Sequence, residues 1–204
     1  MSLQVSYRFI APFYDSFLSR ATASARQRSL SLLPAHGSSK ILLSGAGTGL
    51  DFPYLPDNHH YIALDFTAAM LALSPKRASH LQMSWVQGDS MALPFAEGYF
   101  DYVILHLILA VVTQPERCLA EAARVLKPGG RIYIFDKFLR PGERALLRKA
   151  LSKVVAKLAT RLDVVFEDVL AQTPNLKVVS DQAAMAGGWF RLIELEKATG
   201  GGVA

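Results

Sequence analysis

The chain is poor in cysteine, in long apolar runs and in charge of either sign, and each shortage excludes a class of protein. Cys118 is the only cysteine among 204 residues, so no intrachain disulfide can form and a reducing cytoplasm is the expected location. The longest apolar run, Val103 to Val112, is interrupted by His106 and is too short to span a bilayer. Met1 to Asp15 mixes Gln4, Arg8 and Asp15 with aromatics and lacks the uninterrupted apolar core of a signal peptide. His59 and His60 are adjacent, with no cysteine or acid at ligand spacing, so no metal site is expected. The net charge of +5 is a small excess that would suit an anionic partner. What is abundant is apolar side chain: 51% hydrophobic against 19% charged residues is the composition of a chain that folds around a core.

Short β-rich runs alternate with helical patterns after Pro34. Strands are predicted at Lys40–Ser44, His60–Leu64, Gln82–Gln87, Phe100–Leu105 and Arg131–Phe135. Helices are predicted over Ser19–Leu33, from Thr67 to about Arg77, and from Thr113 to the stop at Lys127-Pro128-Gly129-Gly130. At the last of these, Thr113 and Glu116 have capping-box spacing and Pro115 sits in the first turn. Strand, helix, strand in repetition implies right-handed crossovers and a parallel sheet covered on both faces, an α/β doubly wound architecture. Leu176–Val179 and Trp189–Leu195 are predicted as two closing strands around a Gly187-Gly188 turn. One domain over 1–204 is expected, with an N-terminal helical cap at 1–36, an α/β core at 37–198 and a flexible tail at 199–204.

The most informative stretch is Ser44-Gly45-Ala46-Gly47-Thr48-Gly49, directly after the first strand. Small residues there let backbone approach a ligand at the carboxyl edge of the sheet, where open α/β sheets bind ligands. The position that would need the third glycine of a dinucleotide fingerprint holds Leu50, which disfavours a nicotinamide or flavin enzyme. Asp65 ends the second strand about 20 residues after the first glycine, a spacing that suits a carboxylate accepting ribose hydroxyls. The lesser alternative is a cap for the helix that follows. Asp89 ends the third strand, placed either for an adenine amino group or as a plain turn aspartate. Three consecutive strand ends carrying suitable groups strengthen one another.

In order along the chain, Ile41 to Gly49 (ILLSGAGTG), Ala63 to Leu71 (ALDFTAAML), Gly88 to Asp101 (GDSMALPFAEGYFD) and Glu121 to Ile134 (EAARVLKPGGRIYI) resemble the class I S-adenosylmethionine-dependent methyltransferases. Ala11-Pro12-Phe13-Tyr14-Asp15 and Trp189-Phe190-Arg191-Leu192 look most like the quinone-biosynthesis enzymes and the small bacterial phosphatidylethanolamine N-methyltransferases. The resemblance implies a Rossmann-like, seven-stranded, mostly parallel sheet with an antiparallel last strand, N-terminal capping helices and S-adenosyl-L-methionine as cofactor. It implies that Gly45, Ala46, Gly47 and Gly49 form the cofactor loop. Asp65 would hold the ribose, Phe66 and Met70 would pack near the adenine, and Asp89 and Ser90 would meet its polar edge. Tyr14 would reach over the cofactor, and His106 would lie beside cofactor and substrate. The chain departs from the family at Leu43, where an acidic residue usually helps anchor the amino-acid end of the cofactor. Asp51 or an N-terminal group is the candidate to compensate.

Methyl transfer from a sulfonium is an in-line displacement, so the protein mainly positions the nucleophile and excludes water. His106 is the candidate base, and the plainer reading is a histidine packed at a strand end. Three functions follow: a methyltransferase for a small-molecule or lipid acceptor, a non-catalytic cofactor-binding protein, and a nucleic-acid methyltransferase. Leu105-His106-Leu107-Ile108 lacks the Asn/Asp-Pro-Pro-aromatic motif of amine methylases, and no separate basic domain exists to grip a duplex, so no nucleic-acid partner is expected. Pro141 to Leu162 is predicted as an amphipathic helix, its apolar stripe opposite Lys149, Lys153, Lys157 and Arg161. That segment holds six basic residues against Glu143 alone, an excess as large as the whole chain's net +5. It reads either as a solvated surface helix or as a ridge for peripheral contact with anionic membrane.

Overall fold

Lys40-Ile41-Leu42-Leu43-Ser44 is buried along nearly its whole length, which is what a strand covered on both faces requires. This strand, β1, lies inside the one sheet seen in the computed structural model, which describes residues 20–139 and 163–199. The others are β2 (His60–Asp65), β3 (Gln82–Gln87), β4 (Phe100–His106), β5 (Leu126–Lys137), β6 (Leu176–Met185) and β7 (Phe190–Lys197). Their order is β3-β2-β1-β4-β5-β7-β6. β1 to β5 pair in parallel, and β7 runs antiparallel to β5 and to β6. The expected doubly wound, mostly parallel seven-stranded sheet with an antiparallel last strand is thus the fold.

The period-2 alternation of side chains divides the core between the two faces. Leu42 belongs to one cluster with Leu105, Ile132, Ile134 and the buried side of α3 (Pro115–Val125), including Cys118 and Leu119. Burial pushes the Cys118 thiol up to about 12, so it packs as a small apolar side chain. Ile41 and Leu43 point the other way, into a cluster with Phe52, Tyr61, Tyr133 and Leu30. Leu30 ends α1, a helix over 20–30 that covers this face. Phe166 and Val169 of α4 (Phe166–Ala171) complete the first cluster.

Local rules gave way at several places. The helix expected from Thr67 to Arg77 is only α2 (Ala68–Leu71), followed by a 3₁₀ turn at Pro75–Arg77. Pro75 supplies no N–H to continue the helix, while the Ser74 hydroxyl donates to Leu71 O at 2.8 Å and ends the coil. The capping box at Thr113 does not form. Gln114 is the cap residue and makes no side-chain cap bond, and the Thr113 hydroxyl is directed at Met91 Sδ, 3.4 Å away. β5 begins five residues early, at Leu126, because Leu126 pairs with Phe100 before a bulge containing Gly129 at φ 75°. The closing strands are likewise longer than predicted, around the 3₁₀ turn Ala186–Gly188. Tyr14, the Pro141–Leu162 segment and residues 200–204 lie outside the described residues. Among the described residues no helix is long and apolar enough to cross a membrane.

Candidate functional site

The chain runs β1, β2, β3 in one direction across the sheet and β4, β5 in the other, so strand order reverses between β1 and β4. In sheets of this kind the crevice outside the carboxyl ends at that reversal is the ligand site. The loop after β1 fills it with three glycines at positive φ: Gly45 at 77°, Gly47 at 54° and Gly49 at 78°.

These glycines are needed for different reasons. A Cβ on Gly45 would lie 2.7 Å from Ile108 Cδ1, and one on Gly49 would lie 2.6 Å from the Phe52 ring. Both are packed against protein. A Cβ on Gly47 would meet nothing within 4 Å, so this is where the loop opens onto free space. Most of the loop's N–H groups are spent within the protein: those of Gly45 and Ala46 both donate to Leu64 O, that of Gly49 to Ala46 O and that of Gly47 to Asp65. What it offers a ligand is therefore close approach of bare backbone, not a row of N–H donors.

Asp65 ends β2 and locks the loop. Its Oδ2 accepts Gly47 N–H at 2.8 Å and its Oδ1 accepts Thr67 N–H at 2.9 Å, at the head of α2. Burial raises the Asp65 carboxyl above its ordinary value, against the pull of those two bonds. Each oxygen retains a further lone pair for a ligand hydroxyl. Asp89, after β3, is held by Met91 N–H on Oδ1 at 2.8 Å, the geometry of a turn aspartate. Ser90 is buried and its hydroxyl accepts from Ser44 Oγ at 2.8 Å, tying the third strand end to the first. Phe66 is exposed and Met70 half-buried, both beside Asp65 in sequence.

His106 ends β4 beside a group of polar residues that the sequence did not single out together. Its Nδ1 donates to Asp51 Oδ1 at 2.7 Å, and Nε2 lies 2.9 Å from Ser29 Oγ. Arg26 Nη1 donates to the same Asp51 oxygen at 2.6 Å, and Arg26 Nε to Thr22 Oγ1 at 3.0 Å. Burial alone would raise the Asp51 carboxyl, but the charges and hydrogen bonds of Arg26 and His106 outweigh it and hold it well below the usual range. An ionised Asp51 keeps the proton on His106 Nδ1, so in the neutral ring Nε2 accepts from the Ser29 hydroxyl. With its side chain 1% exposed and both nitrogens engaged, His106 has the geometry of the plainer reading, a satisfied histidine at a strand end. The signal that could have exposed the network is on α1: Thr22, Arg26 and Ser29 recur at helical spacing on a face that also buries Leu30.

A second buried acid, Asp136 at the end of β5, holds the backbone after β4. It accepts Ala110 N–H at 3.1 Å and Lys137 N–H at 2.8 Å. Burial pushes its carboxyl up to about 6, opposed by N–H bonds from Ala110, Lys137 and Leu109 and by the charge of Lys137. That backbone carries Leu107 at φ 57° and Ile108, the side chain that packs on Gly45.

An open parallel sheet with a glycine loop after its first strand and carboxylates after the next two is built to hold a nucleoside-type ligand, and the space at Gly47 leaves room for one. Residues 42–134 match the model of the methyltransferase domain family. The chain is 31% identical to a phosphatidylethanolamine N-methyltransferase from Cereibacter sphaeroides over 90% of its own length and 92% of that protein's. It is 40% identical to a ubiquinone/menaquinone biosynthesis C-methyltransferase from Roseobacter denitrificans, over 48% of this chain and 42% of that one. Its fold is shared with a geranyl diphosphate C-methyltransferase from Streptomyces coelicolor (TM-score 0.69, 15% identity, covering 86% of this chain and 76% of that one). The chain belongs to the S-adenosylmethionine-dependent methyltransferases.

Proposed function

We propose that the methyl acceptor is the amine of a phospholipid headgroup. The observation that carries this reading is the match to the phosphatidylethanolamine enzyme, which extends over 92% of that protein and well beyond the shared domain. The likeness to the quinone-biosynthesis enzyme covers about half of this chain.

S-adenosylmethionine supplies an electrophilic methyl group on a sulfonium. Asp65 would receive the ribose hydroxyls, Asp89 the adenine amino group and the Ser90 backbone a ring nitrogen, with Phe66 and Met70 packing near the adenine. Gly45, Ala46, Gly47 and Gly49 would lie under the methionine part, where Gly47 leaves the space open. Asp136 fixes the Leu107–Ala110 backbone over Gly45, which keeps the crevice shaped and limits water. We assign His106 to positioning, since both its nitrogens are held by Asp51 and Ser29. An amine that has shed its proton needs only placement for in-line attack. The basic residues Lys149, Lys153, Lys157 and Arg161 would draw the protein to anionic membrane, each worth about 1 kcal/mol near such a surface.

The test is incubation with methyl-labelled cofactor and vesicles containing phosphatidylethanolamine, alongside demethylated quinones and an aqueous small-molecule extract. Label in methylated phosphatidylethanolamine is the expected result. Label confined to the quinone or aqueous fraction would remove the lipid acceptor.

A further inference from the structure

The spatial order of the strand ends gives the ligand a direction. Asp89, Asp65 and the glycine loop follow β3, β2 and β1, which are neighbours in that order, and β4 comes next. An adenosine placed at β3 and β2, as proposed above, therefore sends the opposite end of the cofactor toward β4. What stands there is the buried group around Asp51. Leu43 cannot serve that end of the cofactor, because it is 1% exposed and packed with Leu30, Phe52 and Tyr133.

Arg26 and Asp51 form an ion pair whose two side chains are each 7% exposed, yet the pair is unfinished. Asp51 uses only Oδ1, shared between Arg26 and His106. Among the described residues no donor meets Asp51 Oδ2 and no acceptor meets Arg26 Nη2. The remaining oxygen and the remaining guanidinium nitrogen are thus the two polar atoms of the pair left for a further partner. Charges this deep are retained at a cost unless their valence is filled. A ligand end bearing one ammonium and one carboxylate would fill both.

We propose that Arg26 and Asp51 together receive the zwitterionic amino-acid end of the cofactor, the ammonium on Asp51 and the carboxylate on Arg26, in place of the acid missing at position 43. The proposal rests on the adenosine placement given above. It assigns α1 a direct part in cofactor recognition, because Arg26 is a helix residue and Asp51 a loop residue.

Calorimetry on the unmodified protein tests it with four ligands: S-adenosylhomocysteine, its deamino analogue, its decarboxy analogue, and 5′-methylthioadenosine, which lacks the whole amino-acid end. Each single deletion should cost about tenfold or more in affinity, the usual scale for a charge-assisted hydrogen bond. In Asp51→Asn the deamino analogue should bind as well as S-adenosylhomocysteine, and in Arg26→Gln the decarboxy analogue should do so. 5′-Methylthioadenosine should bind all three proteins alike, which also reports that the variants are folded. Discrimination below threefold on the unmodified protein, or variants that discriminate as it does, would overturn the proposal. If the variants fail to fold, the unmodified protein's four titrations decide alone. Absence of binding by both S-adenosylhomocysteine and 5′-methylthioadenosine would instead overturn the adenosine placement.

Discussion

Gly45 and Gly47 are two residues apart in the same loop, yet replacing each by alanine should fail in opposite ways. Both adopt positive φ, so a Cβ costs about 1–2 kcal/mol in either place. At Gly47 that is the whole folding penalty, because the new methyl meets nothing within 4 Å. At Gly45 the methyl would sit 2.7 and 2.8 Å from Ile108 Cδ1 and Cγ1 and 3.0 Å from its Cβ. Rotation of the side chain can move the first two atoms but not the third, and Ile108 is carried on backbone that Asp136 holds. Overpacking of this kind adds about 1–3 kcal/mol, so Gly45→Ala should lose about 2–5 kcal/mol in all. For a chain of this size each kcal/mol is about 2–4 °C in Tm. Ligand binding should rank the other way. The methyl of Gly47→Ala enters the space proposed for the cofactor, and affinity for S-adenosylhomocysteine should fall about tenfold or more while the protein stays folded. Urea unfolding and calorimetry on both variants give the two rankings. Equal stability losses would show that Ile108 yields freely. Normal affinity in Gly47→Ala would show that the open space is not where the ligand lies.

Asp65→Ala should weaken S-adenosylhomocysteine binding by about 1–3 kcal/mol through loss of charge-assisted bonds to the ribose, and an unchanged affinity would withdraw that assignment. Asp136, whose carboxyl is raised to about 6, contributes stability that is fully present below its unfolded value and lost as pH rises through about 6. The unfolding free energy of the natural chain minus that of Asp136→Asn should therefore fall between pH 4 and 7, and a difference that rises with pH would contradict the burial argument. His106→Asn should cost about 1–3 kcal/mol of stability or ligand affinity by leaving Asp51 and Ser29 short of a partner. A loss of roughly 100-fold in turnover with affinity unchanged would return His106 to the role of base.

The parts of the fold that the sequence revealed are those decided within a few residues. β1 and β3 have their predicted bounds because a short apolar or alternating run between turn residues has one strand reading. The parts that escaped depend on partners elsewhere in the chain. Leu126 became a strand residue because Phe100 was there to pair with it, across a Pro-Gly-Gly stretch that read as a stop. Gln114 displaced Thr113 as the cap residue once the Thr113 hydroxyl was directed at Met91. In the site, Asp65 and Asp89 were visible because each ends a strand at a fixed distance from the glycine loop. Asp89 makes the hydrogen bond of the turn aspartate that was its plainer alternative, whereas Asp65 is not the cap of α2: Thr67 is, and Asp65 accepts its N–H.

The network around Asp51 could not be read in this way, since its contacts span 25, 55 and 77 residues. Its existence nevertheless follows from the one anomaly the sequence did present. Leu43 shares a face of β1 with Ile41 and packs with Leu30 of α1, so the helix lies directly on the strand there. A carboxylate at position 43 would be buried against Leu30, Phe52 and Tyr133, and its desolvation would cost several kcal/mol. The same docking of α1 carries Arg26 to the carboxyl edge of the sheet, where a buried guanidinium in turn demands an anion. Asp51, on the turn that follows the glycine loop, meets that demand. An apolar residue at 43 and an acid at 51 are therefore two consequences of one choice, a helix packed close over β1. Moving the acid from strand to loop lets the sheet keep a dry contact while a charge remains at its edge.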